Sequence, residues 1–475
     1  MKFGNKIVMK FGGSCLKDLE SFHRISKILK EYSQDGLVLV ASALYGVTNN
    51  LINLAKNAEK HSADLDKELS SIAEKHVSLA ESVIKSGLKE VASEEIQKEI
   101  MELKTALRDI WDYGLKPQRL DLVSSFGERF STIILHRYLQ SVGYKTVYVS
   151  SYDIIFTTSE PQNALPLLDI TEQKVKEKLV PLLNENKIPV VTGFFGRDEK
   201  GNITLLGRGG SDFTATIIAY CLKNENNSDV KVILWKDVDG LLTANPKLEP
   251  RAHLIRDISY SEAKELAFFG AKLLHPLCIF PVERKEIPVE IRNFDSPNPY
   301  RYTRISKGVK TKESVVKAIA DMRNVNMITV EGEAMVSRPG TAAKLFELMG
   351  KNNVNIIMIS QSSSENNITF IVSDEDKQKA IKALNWSPFF GKDWVNVEME
   401  DDVSLISVVG AGMKNTCGVA GRIFSALGKA KVNIRAIAQG SSELNISLVV
   451  SREDLEKAVK AIHEEFKLHE DEEEN

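Results

Sequence analysis

An internal repeat limits the folds open to this chain more than any other feature of its sequence. Residues 325–384 and 403–462 align without a gap at an offset of 78. The run VNMITVEGEAM corresponds to VSLISVVGAGM, and IMISQSSSENNITFIVSDED corresponds to RAIAQGSSELNISLVVSRED. Each copy has the pattern strand, glycine-containing loop, helix, strand, strand, helix. The sequence therefore predicts a small α+β module of the βαββα type that is present twice.

The first 300 or so residues have a different pattern, in which short apolar runs alternate with amphipathic helical stretches. The strand-like runs are NKIVMKF, GLVLVASA, KTVYVSS, IPVVTGFF, VKVILWK and IPVEIRNF. Such runs are typical of strands that are buried on both faces of a parallel or mixed sheet. Helical stretches such as SFHRISKILKEYSQ lie between them, so we expect a three-layer α/β/α domain. Residues 50–112 lack strand signals, which predicts a helical excursion from the sheet.

The charge balance excludes a general attraction to polyanions. The 475 residues include 62 Lys and Arg against 65 Asp and Glu, a net charge of −3. We therefore expect neither nucleic acid nor a membrane as a partner, and any anion site must be local. The chain has no apolar run of about 18 residues and no signal-peptide core, so we expect it to be cytoplasmic.

The four cysteines lie far apart and form no CxxC pair, which favours a reducing compartment without a structural zinc site.

Two glycine-rich elements have the chemistry of anion sites. In MKFGGSC, a strand ends at Lys10 and is followed by Gly12 and Gly13, which allow backbone N–H groups to approach a ligand closely. In TLLGRGGSDFTATIIAYCL, glycines open a helix whose free N–H groups and partial positive charge suit an anion. Neither has GxGxxG or GxxxxGK[ST] spacing, so dinucleotide and P-loop sites are excluded.

Three further segments are ambiguous when each is taken alone. ILWKDVDGLLTANPKL places Asp237 and Asp239 at a strand end, where aspartates are also common in Asx turns. FFGAKLLHP places Lys272 in an apolar run, where a lysine also occurs with its ammonium reaching water. SFGERFS places Glu128 near an expected helix start, where it would also interact with the helix dipole.

Together these segments resemble an aspartokinase over essentially the whole chain. KFGGS, ASALYGVTNNL, SFGERFS, TLLGRGGSDFTA, WKDVDGLLTANP, FGAKLLHP and the doubled ISQSSSENNI/IAQGSSELNI have the order and spacing of that family. The resemblance implies an amino-acid-kinase fold followed by tandem ACT domains of βαββαβ-like type. It also implies transfer of the γ-phosphoryl of ATP, with Mg²⁺, to the β-carboxylate of L-aspartate, the first step of lysine, threonine and methionine biosynthesis.

The resemblance implies boundaries for the parts of the chain. These are 1–305 for the catalytic domain, 315–390 and 400–466 for the ACT domains, and 467–475 for an acidic tail. A homodimer or larger assembly through the ACT domains is also expected. The chain has no GxGxxG strand after the second module, so we expect no appended homoserine dehydrogenase.

The family pattern implies roles for individual residues of the catalytic domain. Lys10 and Asp212 correspond to the catalytic lysine and the aspartate that organises it. The residues implied to bind phosphate are Gly12, Gly13, Gly209 and Gly210. Those implied to bind aspartate are Thr48, Glu128, Arg208 and Ser211. Those assigned to the nucleotide are Lys236, Asp237, Lys247 and Lys272. No residue is assigned to a metal.

The chain departs from the family in the segment after one predicted strand. Aspartokinases generally read WTDVDGVYTTDPR, whereas this chain reads WKDVDGLLTANPK. The segment loses an aromatic ring, a carboxylate and a guanidinium, and it gains the ammonium groups of Lys236 and Lys247. Nucleotide affinity and base preference are therefore harder to infer than the aspartate site.

The repeats place Gln361 and Gln439 at equivalent positions, followed by Asn367 and Asn445. Their amides donate and accept hydrogen bonds, which suits an amino-acid effector with a hydroxyl group, although turn chemistry explains them as well. The motif resembles that of threonine-sensitive aspartokinases, so threonine is the first choice of effector and lysine the second.

Two other functions fit part of the pattern. A different acceptor, such as glutamate, N-acetylglutamate or UMP, keeps the kinase fold but does not explain the ACT pair, and UMP has no ammonium for Glu128. A catalytically silent amino-acid sensor is compatible with the altered 235–247 segment. Aspartate-dependent ATP turnover separates the sensor from the kinase.

Overall fold

The computed structural model describes residues 5–62, 64–85, 87–223, 229–269, 273–308, 315–391 and 395–470. They group into two units. The first contains the described residues of Met1–Leu241, Arg256–Tyr260 and Leu273–Val309, and the second contains those of Leu242–Ile255, Ser261–Lys272 and Lys310–Asn475. Among the described residues, no helix is both long and apolar enough to cross a lipid bilayer.

The first unit is built on a sheet that is mostly parallel. Its strands are β1 (Asn5–Phe11), β2 (Gly36–Ala41), β3 (Thr146–Val149), β4 (Ile188–Thr192), β5 (Phe195–Arg197), β6 (Ile203–Leu205), β7 (Asp229–Lys236), β8 (Asp257–Ile258), β9 (Val289–Asn293) and β10 (Tyr302–Ile305). The order in the main sheet is β3-β4-β2-β1-β7-β9-β10-β8, and β5 and β6 form a separate hairpin. The strands from β3 to β9 in this order run parallel, whereas β10 is antiparallel to β9.

The helices up to residue 308 are α1 (Leu19–Glu31), α2 (Val47–Glu59), α3 (Leu65–Val83), α4 (Lys89–Tyr113), α5 (Pro117–Ser141), α6 (Leu168–Asn184), α7 (Gly210–Leu222), α8 (Tyr260–Phe268) and α9 (Ile279–Arg284). Asp18 caps α1 by accepting a hydrogen bond from the Ser21 N–H at 2.8 Å. Helices α2, α3 and α4 lie in succession between β2 and β3.

The two faces of the sheet are covered by different helices. Ile7, Met9 and Phe11 of β1 belong to one buried cluster with side chains of α1 to α5. Because side chains alternate along a strand, Val8 and Lys10 face the other side, against which α7 packs. The apolar runs of the sequence thus form strands covered on both faces, and the predicted three-layer α/β/α fold is confirmed.

The strand order reverses at β1, where open parallel sheets form a ligand-binding crevice. The chain passes from β1 to β2 on one side, and β7 later pairs with the other side of β1. In open parallel sheets, ligands bind outside the carboxyl ends of the strands where the strand order reverses in this way. The loops that follow β1, β2, β4 and β7 meet at this edge.

The second unit contains both copies of the repeat in one antiparallel sheet. Its strands are β11 (Ala318–Glu331), β12 (Ile356–Gln361), β13 (Asn367–Ser373), β14 (Asn396–Val409), β15 (Ile434–Gln439) and β16 (Asn445–Ser451). Its helices are α10 (Thr341–Lys351), α11 (Lys377–Asn385), α12 (Val419–Lys429) and α13 (Leu455–Glu465). Every element of the second copy begins 78 residues after its counterpart, and the sheet order is β12-β13-β11-β14-β16-β15. The predicted duplication is confirmed.

A segment that precedes the repeats in sequence is part of the second unit. Ala244 and Leu248 are buried in the apolar core of the second copy, together with side chains of α12 and α13. The Ile319 N–H donates a hydrogen bond to the Thr243 carbonyl at 2.8 Å. Sequence periodicity gives no sign of this packing, because the segment has no regular apolar pattern.

The stretch that follows β9 is more ordered than its prolines suggest. The sequence of residues 293–314 predicts an irregular joint, but β10 lies within it and pairs with β9 from Tyr302↔Arg292 to Ile305↔Val289. Residues 309–314 and the end of the acidic tail, 471–475, lie outside the described residues.

Gly240 offers a test of the packing that follows β7. Its φ is +154°, and a Cβ there would clash with the side chain of the buried Thr303, whose backbone N would be 2.9 Å away. We expect Gly240→Ala to destabilise the protein by at least about 2 kcal/mol, from backbone strain and overpacking combined. Denaturant unfolding followed by tryptophan fluorescence measures the change.

The matched control is Gly421→Ala on α12, where an added Cβ meets nothing within 4 Å. The free energy of unfolding of this variant should equal that of wild type or exceed it by up to about 1 kcal/mol. Equal stability of the two variants would contradict the predicted clash at Gly240.

Candidate active site

Lys10 and the glycines after β1 lie at the carboxyl edge of the sheet. Lys10 is the penultimate residue of β1, and its side chain is buried. A Cβ on Gly12 would be 3.4 Å from the Lys10 Nζ, and one on Gly13 would be 2.7 Å from the Ala43 carbonyl oxygen. Glycine is therefore needed at position 13 because the loops after β1 and β2 touch there.

The start of α7 is formed by close packing around two glycines. Gly209 has a φ of +72°, and a Cβ there would be 2.7 Å from the Cβ of His275. A Cβ on Gly210 would similarly meet the Phe194 ring. The first turn of α7 then presents Ser211 and Asp212, where the helix dipole favours negative charge.

Asp212 is the centre of a buried ion-pair cluster. Its Oδ1 lies 2.8 Å from the Lys10 Nζ, and its Oδ2 lies 2.6 Å from the Lys236 Nζ. Burial alone would raise the pKa of Asp212, but the two ammonium charges outweigh it and lower that pKa. The carboxylate is therefore ionised and fixed between two lysines.

The two lysines respond differently to this environment. Burial alone would lower the pKa of Lys10, but the charge and hydrogen bond of Asp212 outweigh it and raise that pKa. Burial also lowers the pKa of Lys236, and there Asp212 offsets the effect only in part, since Lys10 lowers it further.

Glu128 contributes a buried carboxyl group to the site. It lies in α5 with 3% of its surface exposed, and its Oε1 accepts a hydrogen bond from the Ala43 N–H at 3.0 Å. Among the described residues, none donates a hydrogen bond to its buried Oε2. Burial raises the pKa of Glu128 to about 8, although backbone hydrogen bonds, the Lys10 charge and the nearby Ser211 hydroxyl oppose this.

Helix α5 is held against the loop after β2 by small contacts on either side of Glu128. A Cβ on Gly127 would be 2.7 Å from the Ala43 Cβ, so the helix and loop touch without a side chain between them. One turn later, the Ser131 hydroxyl donates a hydrogen bond to the Ser42 carbonyl at 2.6 Å. These contacts fix the position of the Glu128 carboxyl group.

The remaining predicted residues of the first unit differ in exposure. Thr48 is half-buried in the first turn of α2, and Ser211 is buried in the first turn of α7. Arg208 is exposed just before α7, close enough to His275 that its charge adds to burial in lowering the His275 pKa. Asp237 is exposed directly after β7.

Two residues assigned to the nucleotide from the sequence are not among the described residues of the first unit. Lys247 is exposed and belongs to the second unit. Lys272 lies outside the described residues.

The four residues assigned to an effector fall at equivalent ends of two hairpins. Gln361 pairs with Ile368, so Asn367 is its near neighbour, and Gln439 is placed in the same way beside Asn445. Both glutamines are exposed. The copies differ at the asparagines: the Asn445 side-chain amide donates a hydrogen bond to Glu265 of α8.

Sequence reasoning missed several groups of this site. The Ala43 N–H was not anticipated, because a backbone donor has no residue signature. The apolar run IPVVTGFF predicts a strand that includes Gly193, but β4 ends at Thr192, and a Cβ on Gly193 would be 2.6 Å from that of Ser211. A glycine directly after an apolar run is the signal that marks this loop.

Family profiles match both parts of the chain. The amino acid kinase family matches residues 5–293, and the ACT domain matches residues 328–386 and 406–466. The first range includes every strand of the main sheet except β10, and the other two include most of both copies of the repeat.

Solved structures of aspartokinases match the whole chain. Escherichia coli aspartokinase III in complex with aspartate and ADP has a TM-score of 0.81 at 27% identity, and the match covers 97% of this chain and 99% of that one. Clostridium acetobutylicum aspartate kinase has a TM-score of 0.75 at 26% identity, covering 97% and 100%.

Curated relatives agree with the structures. Aspartokinase 2 of Arabidopsis thaliana is 30% identical over 97% of this chain and 84% of its own length. The bifunctional aspartokinase/homoserine dehydrogenase 1 of the same plant is 32% identical, but the chain spans only 51% of it. The chain belongs to the amino acid kinase family and, within that family, to the aspartokinases with ACT domains, as its sequence motifs predict.

The raised pKa of Glu128 predicts a pH dependence of folding. A carboxyl group with a pKa of about 8 when folded and about 4.5 when unfolded stabilises the fold fully below pH 4.5 and loses that contribution as pH rises through 8. Relative to Glu128→Gln, wild-type protein should therefore lose on the order of 4 kcal/mol of unfolding free energy between pH 5 and about 8. Denaturant unfolding of the ligand-free protein measures this difference.

The control is Glu94→Gln, an exposed position on α4, which should follow wild type at every pH. A difference between wild type and Glu128→Gln that stays constant from pH 5 to 8 would contradict the raised pKa.

Proposed function

We propose that this chain is an aspartate kinase that transfers the γ-phosphoryl of ATP to the β-carboxylate of L-aspartate, giving 4-phospho-L-aspartate and ADP. The observation that carries the proposal is the joint presence, at one sheet edge, of the Lys10–Asp212 ion pair and the open Oε2 of Glu128. The first suits a phosphoryl group and the second an ammonium. The product would enter amino-acid biosynthesis.

The chemistry requires charge stabilisation more than proton transfer. An oxygen of the aspartate β-carboxylate forms a bond to the γ-phosphorus, while the bond from that phosphorus to the bridging oxygen breaks and ADP leaves. The carboxylate is already ionised, so no proton has to be removed. Two anions must be brought together, and the site therefore acts by positioning them and by supplying positive charge.

Lys10 and the backbone of the glycine loops are the groups we assign to the phosphates. The Lys10 ammonium is held by Asp212 at 2.8 Å, so its remaining N–H groups have a fixed direction. An added side chain would clash or crowd at Gly12, Gly13, Gly209 and Gly210, which is consistent with backbone that lies close to a ligand. The Gly210 N–H already donates to the Gly207 carbonyl at 3.0 Å, so Gly210 would line the cradle without donating to it. Mg²⁺ would arrive on ATP as part of the substrate.

The aspartate substrate needs an anion and a cation in the same site. Glu128 would bind its ammonium through Oε2, which no described residue occupies. Binding of a cation there would favour the ionised form of Glu128. Arg208, which is exposed, would hold a substrate carboxylate bidentately, and Thr48 and Ser211 would donate hydroxyl hydrogen bonds. This combination supports an amino-acid acceptor over UMP.

The residues that bind the nucleotide are the least well defined part of the proposed site. Asp237 follows β7 at the sheet edge, which supports its assignment to the nucleotide. Lys247 and Lys272 keep that assignment only through their match to the family pattern. E. coli aspartokinase III was solved with ADP and aspartate, which supports the same ligand classes here.

Replacement of Lys10 tests the phosphoryl-transfer role. We expect Lys10→Ala to lower aspartate-dependent turnover at least about a hundredfold, because a preorganised donor of this type contributes roughly 3–4 kcal/mol of transition-state stabilisation. Trapping of the acyl phosphate as a hydroxamate measures the product directly. Lys27→Ala, an exposed lysine of α1, is the control and should be unaffected. Near-normal turnover in Lys10→Ala would remove Lys10 from the mechanism.

The ACT domains support feedback control by an amino acid. E. coli aspartokinase III was also solved with lysine and aspartate. We infer that the effector here is threonine, with lysine as the second candidate, and that Gln361, Asn367, Gln439 and Asn445 contact it. A homodimer or larger assembly through the ACT domains fits this control. Glu265 already holds the Asn445 amide, whereas the Asn367 side chain has no hydrogen bond to a described residue.

The effector assignment predicts different effects at the two asparagines. Threonine at millimolar concentration should inhibit the hydroxamate assay, and Asn367→Ala should raise the concentration needed for half inhibition at least about tenfold, since a hydrogen-bond partner of the effector is lost. Asn445→Ala should change it less. Inhibition by lysine but not threonine would overturn the choice of effector and leave the kinase assignment intact.

A further inference from the structure

The sequence assigns Lys236 to the nucleotide, and in the structure its side chain contacts Asp212 beside Lys10. Its Nζ lies 2.6 Å from Asp212 Oδ2, on the carboxylate that Lys10 contacts through the other oxygen. The side chains of Lys10, Lys236 and Asp212 are 8%, 14% and 4% exposed. One buried carboxylate thus has two lysines, one on each oxygen.

Sheet register brings the two lysines together. Lys10 is opposite Leu234 in the parallel pairing of β1 and β7, and Lys236 is two residues further along β7. Side chains two apart point to the same face, so both lysines face α7, which carries Asp212 in its first turn. The strand register therefore places both lysines on the face of the sheet that α7 covers.

The cluster has more positive charge than its own carboxylate balances. Two ammonium groups and one carboxylate leave an excess of one positive charge. Glu128 is the other acidic group that acts on Lys10, but burial raises its pKa to about 8, so it is largely neutral at pH 7 without substrate. Burial also raises the pKa of the neighbouring thiols Cys15 and Cys278, which keeps them neutral.

A purely structural role does not account for the second lysine. Lys10 alone supplies the counter-charge that the buried Asp212 needs. Burying a further ammonium costs desolvation energy and adds repulsion from Lys10, and both effects lower the pKa of Lys236. An anionic ligand at this point would offset the repulsion and stabilise the charged form of Lys236. A site with two lysines therefore suits a more highly charged anion than a site with one lysine.

We propose that Lys236 is a second catalytic lysine, whose ammonium contacts the phosphoryl group during its transfer while Asp212 holds it beside Lys10. This inference rests on the proposed kinase function. It deepens that function by placing at the transferred phosphoryl a residue that stands where the family pattern has threonine. The carboxylate nucleophile and the phosphoryl are both anionic, so a second cation lowers the repulsion between them as the new O–P bond forms.

The test compares Lys236→Met with a lysine of the same strand. Lys231 also lies on β7 and also pairs with a carboxylate, Glu290, at 3.4 Å, but it is about 16 Å along the strand from Lys236. We expect Lys236→Met to lower kcat about a hundredfold and Lys231→Met to stay within about twofold of wild type. Lys236→Arg, which keeps the positive charge, should have a kcat at least about tenfold higher than that of Lys236→Met. If Lys236→Met does not fold, Lys236→Thr replaces it.

Binding of MgADP separates catalysis from nucleotide binding and from structure. MgADP lacks the transferred group, so its dissociation constant, measured by calorimetry, should change less than about threefold in Lys236→Met. A kcat within threefold of wild type would overturn the inference, and so would a loss of MgADP affinity in proportion to kcat. If the wild-type protein forms no aspartyl hydroxamate, the proposed function itself fails. Normal wild-type turnover with an unaffected Lys236→Met overturns only the role of Lys236.

Discussion

A parallel sheet covered on both faces leaves little room for polar chemistry except at its carboxyl edge. The strands β1, β2, β4 and β7 are apolar and buried along most of their length. Lys10 and Lys236 are placed near strand ends, where their ammonium groups reach the crevice and Asp212 compensates part of their charge. The ion-pair cluster is stable in this position because α7 delivers the carboxylate from the same side. The rest of the site is arranged around it.

Close backbone contacts give the crevice its shape. Gly13 touches the loop after β2, Gly127 brings α5 against that same loop, and Gly193 brings the loop after β4 against Ser211. At each of these contacts, a methyl group would separate two elements that carry polar groups. The glycines therefore serve the site less through flexible backbone than through the absence of a side chain.

The fold was largely predictable from the sequence. Apolar runs identified β1, β2 and β7 because both faces of these strands are buried, and the offset of 78 identified the duplicated unit. The glycine loops were found because glycine pairs are unusual at strand ends. Glu128 was expected near a helix start, and this was wrong, because it lies in the middle of α5. The Lys236–Asp212 pair was not, because it depends on β7 pairing with β1, a contact between distant parts of the chain. The packing of Ala244 into the second repeat was missed for the same reason.

The unbalanced charge around Asp212 has a consequence for solution conditions. A buried excess of positive charge attracts any small tetrahedral oxyanion, whether or not it belongs to a nucleotide. Sulfate or inorganic phosphate in a buffer would then compete with substrate for the same space. Rates recorded in such buffers would understate the capacity of the protein, and crystals grown from sulfate would be expected to trap the ion between the two lysines.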